Sequence, residues 1–262
     1  MKQTQFSTAK LKEGVSDIPI LNAKIGLDLE LNLLQSVVDG ETHADFLIWR
    51  CEQSLVVPKS FSHKANFKLT QKYFNYIGWP IVLRETGGDL TPQYPGMLNV
   101  AIVFRSAKKA VSIRDSYLEI CQPIIHVLSR LGINASYGSI NGAFCNGDYN
   151  VTVNNKKIAG TAQRWRQIKS VDSVNQDVAI LVQAAILTEG PLTYLWQICN
   201  EFYQRNDINY FIEEDKHIAL DEILKESGIA LTKKIEPQII DSMEDWLDSY
   251  KQNTSTTLNN NH

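Results

Sequence analysis

Several features that mark other classes of protein are missing from this sequence of 262 residues. No segment approaches the roughly 20 consecutive apolar residues that a membrane-spanning helix needs. Residues 1–14 lack the apolar stretch of a signal peptide. The formal net charge is -3, and no Lys/Arg-rich run with interleaved aromatics is present. We therefore expect a cytoplasmic protein that binds neither a membrane nor nucleic acid.

Cysteine is scarce and shows no metal-binding pattern. The four cysteines form no Cys-x-x-Cys pair, and no histidine stands at metal-ligand spacing from them. The sequence therefore predicts free thiols, without a zinc site or a disulfide framework. Cys51, Cys121 and Cys199 lie in predicted strands or helices, where a free cysteine commonly packs as a small hydrophobic residue. The scattered histidines indicate no Cys/His dyad in the linear sequence, although a spatial one stays open.

Hydrophobic periodicity predicts both helices and strands. The composition, 44% hydrophobic and 21% charged, can supply a sizeable core. Helical spacing is found at residues 28–38 and 112–131, each followed by a glycine suited to a left-handed cap, Gly40 and Gly132. Runs rich in β-branched and aromatic residues predict strands at 44–51, 54–58, 79–84 and 98–104. Residues 85–97, which contain glycine and proline, are predicted to be a loop.

The second half of the chain is predicted to end in helices. Residues 177–188 are apolar enough to be helix or strand, and the period does not separate the two. From residue 191 onward helical spacing dominates, with a further helix near 218–226. We predict an α+β fold, with a mixed β-sheet core flanked by helices and a helical C-terminal part. Residues 1–251 would form a single domain, followed by a disordered tail at 252–262.

Cys145 stands apart from the other cysteines because it lies in a turn rich in Gly, Asn and Asp. Asn154 and Asn155 separate two alternating segments, which predicts a two-residue hairpin turn. In the simplest register Thr152 faces Lys157, Val151 faces Ile158, and Asn150 faces Ala159. Lys157 would then lie on a polar face with Ala159 and Thr161. A lysine near a turn cysteine favours a reactive thiol or a stabilised oxyanion, whereas a solvated hairpin with surface lysines is the plainer alternative.

Two segments together resemble the lipoate-protein ligase and octanoyltransferase superfamily over roughly residues 22–188. Leu83-Arg84-Glu85-Thr86-Gly87-Gly88-Asp89, followed by Met97-Leu98-Asn99, resembles the family's Arg-Arg-x-Ser/Thr-Gly-Gly-Gly loop and Gly-Asn-Leu-Asn strand. Lys157-Ile158-Ala159-Gly160-Thr161-Ala162 resembles its Lys-x-x-Gly-x-Ala element. The resemblance implies a biotin/lipoate ligase-like catalytic domain. It implies an acyl pocket near the loop and the strand, Lys157 at the acyl carbonyl, and these binding residues: Arg84, Thr86, Gly87, Gly88, Asn99, Asn150, Gly160, Thr161 and Ala162.

The sequence also departs from the family's pattern. Leu83 replaces the first arginine, Asp89 the third glycine and Gln93 the usual histidine, while Asn150 stands where many ligases have aspartate. A lost arginine and an added carboxylate both disfavour a bound phosphate, which weakens the case for an acyl-adenylate.

In one branch of the superfamily, a cysteine just before the hairpin carries the acyl group as a thioester, and Cys145 stands at that position. The resemblance therefore implies transfer of an octanoyl or lipoyl group from acyl carrier protein, without cofactor, to a lysine. That lysine would belong to a lipoyl domain of a 2-oxoacid dehydrogenase or to the glycine-cleavage H protein. An amidotransferase acting between two lipoyl domains, an ATP- and Mg²⁺-dependent ligase, and a noncatalytic acyl-binding homologue are the alternatives.

Overall fold

The structure, a computed structural model, describes residues 18–169 and 176–259 and consists of ten strands and six α-helices. The strands are β1 (Ile20–Leu21), β2 (Ala44–Cys51), β3 (Ser54–Pro58), β4 (Ile81–Arg84), β5 (Thr91–Gln93), β6 (Met97–Ala107), β7 (Ala135–Gly138), β8 (Asn150–Val153), β9 (Lys156–Gln167) and β10 (Asp177–Leu187). The α-helices are α1 (Ala23–Asp39), α2 (Phe67–Tyr76), α3 (Ile113–Arg130), α4 (Leu192–Arg205), α5 (Leu220–Leu224) and α6 (Gly228–Asn259).

The strands form a large sheet and a small one. The seven-stranded sheet has the order β1-β2-β6-β10-β9-β8-β7, and all its pairs are antiparallel except β1 with β2. The three-stranded sheet has the order β4-β3-β5, in which β3 runs parallel to β4 and antiparallel to β5. The predicted α+β fold with a mixed sheet and flanking helices is confirmed.

Helices cover both faces of the large sheet. Because side chains alternate along a strand, Val100 and Ile102 of β6 enter the large apolar core under α3 and α6. Ala101 and Val103 of the same strand pack on the other side, against Leu34 and Val37 of α1. The α1 face also carries Asn99, which precedes Ala101 by two positions. The small sheet packs with α2 and α4 in a third cluster of buried residues.

Local sequence signals explain the limits of the two helices that the periodicity predicted. The side chain of Asn22 accepts from the Lys24 N–H at the start of α1, and Gly40 ends the helix with φ of 78°. At α3, Ser112 and Asp115 form a capping box, and Gly132 follows the helix with φ of 76°. Both predicted glycine caps are confirmed.

Three predictions about local structure are corrected or decided. The predicted loop at 85–97 contains β5, which pairs with β3 through backbone bonds. The ambiguous residues 177–188 form β10, buried between β6 and β9. The predicted disordered tail is helical as far as Asn259 in α6, and residues 260–262 lie outside the described residues. Residues 1–14, considered for a signal peptide, also lie outside them.

The predicted hairpin is confirmed at its turn but not along its length. Asn154 and Asn155 have φ of 50° and 58°, as a two-residue turn requires. Thr152 pairs with Lys157 as predicted, but a bulge follows, and Val151 pairs with Ala159 instead of Ile158. The extra residue turns Ala159 into the apolar core beside Val151, so its predicted place on the Lys157 face is wrong.

Candidate active site

Cys145 lies in a turn between β7 and β8 whose backbone is held in an uncommon conformation. Its φ of 44° is in the left-handed region, which side chains with a Cβ rarely adopt. The Asn150 side-chain amide donates to the carbonyls of Cys145 and Gly147 at 3.3 and 2.9 Å and accepts from the Thr161 N–H at 3.3 Å. Asn150 therefore ties the cysteine turn to β9, and the surrounding structure holds the strained residue in place.

Lys157 is fully buried directly beneath this turn. Its Nζ donates to the carbonyls of Phe144 and Cys145 at 2.6 and 3.0 Å and lies 3.9 Å from the centre of the Phe144 ring. Burial lowers the pKa of Lys157 to about 8. A Cβ added at Gly160 would lie 3.1 Å from the lysine Nζ, so the small residue makes room for the ammonium group. These contacts position the backbone of the Cys145 turn. Direct contact of Lys157 with an acyl carbonyl stays a prediction.

A histidine completes the support of the turn. His217 Nε2 accepts from the Phe144 N–H at 3.1 Å, and its ring stacks against both Trp196 and Phe144. Burial, with the nearby Lys157 charge, lowers the pKa of His217 to about 3. The ring is therefore neutral at physiological pH, and its acceptor nitrogen is used by the backbone. His217 positions the turn, and its Nε2 contacts the Phe144 backbone and not the thiol.

The glycine-containing loop after β4 approaches the thiol from the other side. The Asp89 N–H donates to Cys145 Sγ at 3.2 Å. Arg84 Nη2 donates to the Asp89 carbonyl at 2.8 Å. At Gly88, where φ is 98°, an added Cβ would lie 2.7 Å from Arg84 Nη2 and 2.9 Å from Cys145 Sγ. Only glycine fits between these groups. The loop places the Asp89 N–H at the sulfur, with the Arg84 guanidinium on the other side of Gly88.

A cavity of about 40 Å³ opens beside Cys145 on the α1 face of the large sheet. Among the predicted binding residues, Arg84, Asn99, Gly160, Thr161 and Ala162 line it. Thr86 lines an adjoining, smaller cavity. Asn150, Gly87, Gly88 and Lys157 line neither of them. The structure therefore gathers most of the predicted residues around Cys145, with some in the cavity wall and others supporting the turn. Gly87 is exposed and does neither.

Substitutions in the family's pattern have visible structural consequences. Gln93, in place of histidine, exchanges two hydrogen bonds with Asn99, at 2.9 and 3.0 Å, inside the cavity wall. The Asp89 carboxylate, in place of a third glycine, accepts from the Leu90 N–H at 2.7 Å.

Sequence reasoning missed several residues of this site. Glu30, Trp49 and Gln183 line the cavity, and His217 supports the turn. Glu30 lies on a helix whose charged residues are expected on the surface, and no local signal indicates its burial. The position of His217 depends on tertiary packing 73 residues away from Phe144.

The other three cysteines are also buried. All four cysteines are free thiols, as predicted. Burial raises the pKa of Cys51 and of Cys121 to about 12 and that of Cys199 well above its usual value, so these thiols are poor nucleophiles. Within residues 18–169 and 176–259, no group of three or more His, Cys, Asp or Glu side chains could hold a metal ion. In the same ranges, no helix is long and apolar enough to cross a bilayer.

Comparisons with known proteins identify relatives of this chain. The chain is 30% identical to an uncharacterized protein, H16_B0148, of Cupriavidus necator, over 77% of this chain and 82% of that protein. It is 26% identical to the octanoyl-[GcvH]:protein N-octanoyltransferase of Anoxybacillus flavithermus, over 77% of this chain and 69% of that enzyme.

Solved structures share the fold. A lipoate-protein ligase A bound with ATP superposes with a TM-score of 0.63 at 17% identity, covering 89% of this chain and 86% of that one. A bipartite lipoate protein ligase from Thermoplasma acidophilum superposes with a TM-score of 0.57 at 16% identity, covering 88% and 83%. The model of the lipoyl protein ligase A/B catalytic domain matches residues 22–227. The chain therefore belongs to the lipoyl protein ligase A/B catalytic domain family.

Proposed function

We propose that this protein is an acyltransferase that moves an octanoyl or lipoyl group through a thioester on Cys145. The observation that carries the proposal is the setting of the thiol. Its sulfur accepts from the Asp89 N–H at 3.2 Å, lies close to the Arg84 guanidinium, and faces the cavity. Donors and a positive charge near sulfur stabilise a thiolate, which is the nucleophilic form.

The first half of the reaction loads the enzyme. The Cys145 thiolate attacks the carbonyl carbon of the acyl donor, and the tetrahedral intermediate places negative charge on the carbonyl oxygen. Arg84 lies across Gly88 from the sulfur, and its guanidinium is suited to stabilise this oxygen. Collapse of the intermediate breaks the bond to the carrier, whose sulfur or nitrogen leaves with the proton that the Cys145 thiol gave up when it became a thiolate. The acyl group then remains on Cys145 as a thioester.

The second half transfers the acyl group to a protein. The unprotonated ε-amine of a lysine on a lipoyl domain or H protein attacks the thioester, an amide forms, and the Cys145 thiol is released. An amide is more stable than a thioester, so a thioester donor supplies enough free energy without ATP. The donor in our proposal is an acyl carrier protein. The names of several relatives, octanoyl-[GcvH]:protein N-octanoyltransferase, also support the H protein as a donor. We place the reaction in the cytoplasm.

An ATP-dependent lipoate-protein ligase is the second candidate, because a solved structure with the same fold is a ligase bound with ATP. Here the loop that would approach a phosphate carries the Asp89 carboxylate, and Leu83 replaces an arginine. In the same loop, the Asp89 N–H already donates to the Cys145 sulfur. These residues fit a triphosphate poorly, so we derive no step through ATP or Mg²⁺. A noncatalytic acyl-binding homologue is the third candidate.

Intact mass of the purified protein after incubation with octanoyl acyl carrier protein, and separately with octanoylated H protein, tests the proposal. We expect one octanoyl group that is labile to hydroxylamine and absent from Cys145→Ala, whereas Cys199→Ala keeps it. Modification of a lipoyl domain only when ATP, Mg²⁺ and free lipoate are supplied would favour the ligase. No acylation under either condition would favour the noncatalytic homologue.

A further inference from the structure

The cavity beside Cys145 contains a buried carboxylate. The Glu30 side chain, on a residue that is 2% exposed, accepts from Trp49 Nε1 at 2.9 Å and from Gln183 Nε2. It forms no ion pair with any residue in the described ranges. Burial raises the pKa of Glu30 to about 7. A carboxyl group is a costly lining for a site that receives only hydrocarbon.

Further polar atoms near Glu30 have no hydrogen-bond partner. They are Arg84 Nε, Thr86 Oγ1 and Gln183 Oε1. Arg84 and Thr86 are only 9% and 5% exposed, so their free atoms are shielded from bulk solvent. The cavity that Cys145 lines and the smaller one beside it share Leu27, Glu30, Arg84 and Gln183. The unpartnered donor and acceptors therefore belong to one continuous site next to the thiol.

A saturated acyl chain would match this wall poorly. Its methylene groups would exclude water from Gln183 Oε1 and Arg84 Nε without supplying hydrogen bonds, and each buried unpaired group costs free energy. The apolar part of the lining, from Leu27, Trp49 and Val56, can accept hydrocarbon. The site thus combines an apolar surface for a chain with a localised polar patch.

We propose that the acyl group carried by this protein bears a neutral hydrogen-bonding substituent, such as a hydroxyl, which Glu30, Gln183 and Arg84 recognise. The inference rests on the proposed function of Cys145 and names the class of its substrate. A hydroxyl can donate to Gln183 Oε1 or Glu30 and accept from Arg84 Nε. Arg84 disfavours an ammonium on the chain, and Glu30 disfavours a carboxylate, so the substituent is neutral.

Small thioesters of N-acetylcysteamine provide the probe, because they need no carrier protein. We would compare octanoyl thioester with a series in which one hydroxyl is moved along the same chain, following the Cys145 adduct by intact mass. We expect at least one hydroxyoctanoyl thioester to acylate Cys145 about tenfold faster than octanoyl thioester, since one buried hydrogen bond contributes about 1 to 1.5 kcal/mol. Gln183→Met should abolish the preference, whereas Gln35→Met on α1, outside the cavity, should keep it.

Binding to the Cys145→Ala protein separates this inference from the chemistry. Calorimetry measures the binding of octanoyl and hydroxyoctanoyl amides in which an NH group replaces the sulfur of the thioester probe. This measurement requires no acyl transfer. Tighter binding of a hydroxyoctanoyl amide, lost in Gln183→Met, supports the inference. It does so even if no thioester acylates the native protein, because the absence of acylation would refute only the proposed function. Equal or stronger reaction and binding of the unsubstituted octanoyl group would overturn the inference and assign the unpartnered atoms to bound water.

Discussion

The two faces of the large sheet are built from the same strands and differ in what they bury. The face under α3 and α6 is lined mainly by aliphatic side chains, as Val100, Ile102 and Ile180 show, and its buried Glu236 is paired with Arg50. The face toward α1 buries Glu30, Asn99 and Lys157 within a short distance of Cys145. Buried polar groups cost stability unless they are paired, so the unpaired polar atoms near Cys145 mark this face as the candidate active site.

Removing a thiol from each face should give the largest contrast. Cys145→Ala should abolish formation of the acyl adduct, because the proposed nucleophile is lost. Cys121→Ala, in the core under α3, should retain the adduct and lower the free energy of unfolding by about 1 kcal/mol. Intact mass and chemical denaturation measure the two effects. An adduct that persists in Cys145→Ala would place the nucleophile elsewhere.

Two neighbouring lysines of β9 should differ in their effect on the rate of acylation. Lys157→Met should slow acylation of Cys145 about 100-fold, because the Phe144 and Cys145 carbonyls lose the ammonium group that positions them. Lys156→Met should leave the rate unchanged, since that residue is partly exposed beside the Asn-Asn turn. Single-turnover rates with saturating thioester measure the effect. Equal rates for both variants would show that Lys157 does not position the turn.

Substitution of a glycine by alanine should lower stability much more at the site than away from it. Gly88→Ala should destabilise the fold by about 3 kcal/mol and slow acylation, because φ is 98° and the new Cβ would meet Arg84 and Cys145. Gly138→Ala in β7 has open space and should change the free energy of unfolding by less than about 1 kcal/mol. Urea denaturation of both variants gives the comparison, and similar values would contradict the close approach at Gly88.

Buried carboxylates on the two faces should respond differently to removal of charge. The Glu30 pKa is raised from 4.5 to about 7 in the folded protein, so the unfolded chain releases this proton first as pH rises. The free energy of unfolding therefore falls between about pH 4.5 and 7. Glu30→Gln should remove that loss, a gain of about 3 kcal/mol at pH 8. Glu236→Gln should destabilise at pH 8, because Glu236 accepts from Arg50 Nε at 2.9 Å. Denaturation midpoints across pH measure both.

Much of this architecture follows from local sequence signals. Gly40, Gly132 and the Asn154-Asn155 turn act through their own backbone preferences, so their positions were predictable. Cys145 was identified because a cysteine in a polar turn differs from cysteines in apolar periodic segments. In these cases the cause of the structure lies within a few residues of its effect.

Other features depend on tertiary contacts that local patterns do not contain. The bulge after Thr152 shifts Ala159 to the opposite face, and nothing in the alternation of β9 indicates it. Glu30 is buried because Trp49 and Gln183, from two different strands, supply its hydrogen bonds. The apolar run of β10 suits a helix or a strand equally well until β6 and β9 are placed on either side of it.

The support of the cysteine turn has a consequence for the order in which the protein matures. Phe144 N–H is satisfied by His217, and the Ile218 N–H in turn bonds to the Lys157 carbonyl at 3.0 Å. A nascent chain that has emerged from the ribosome only through β10 has its thiol but lacks both of these restraints. The observed geometry of the Cys145 turn is therefore completed only after the segment around His217 has been synthesised and has docked.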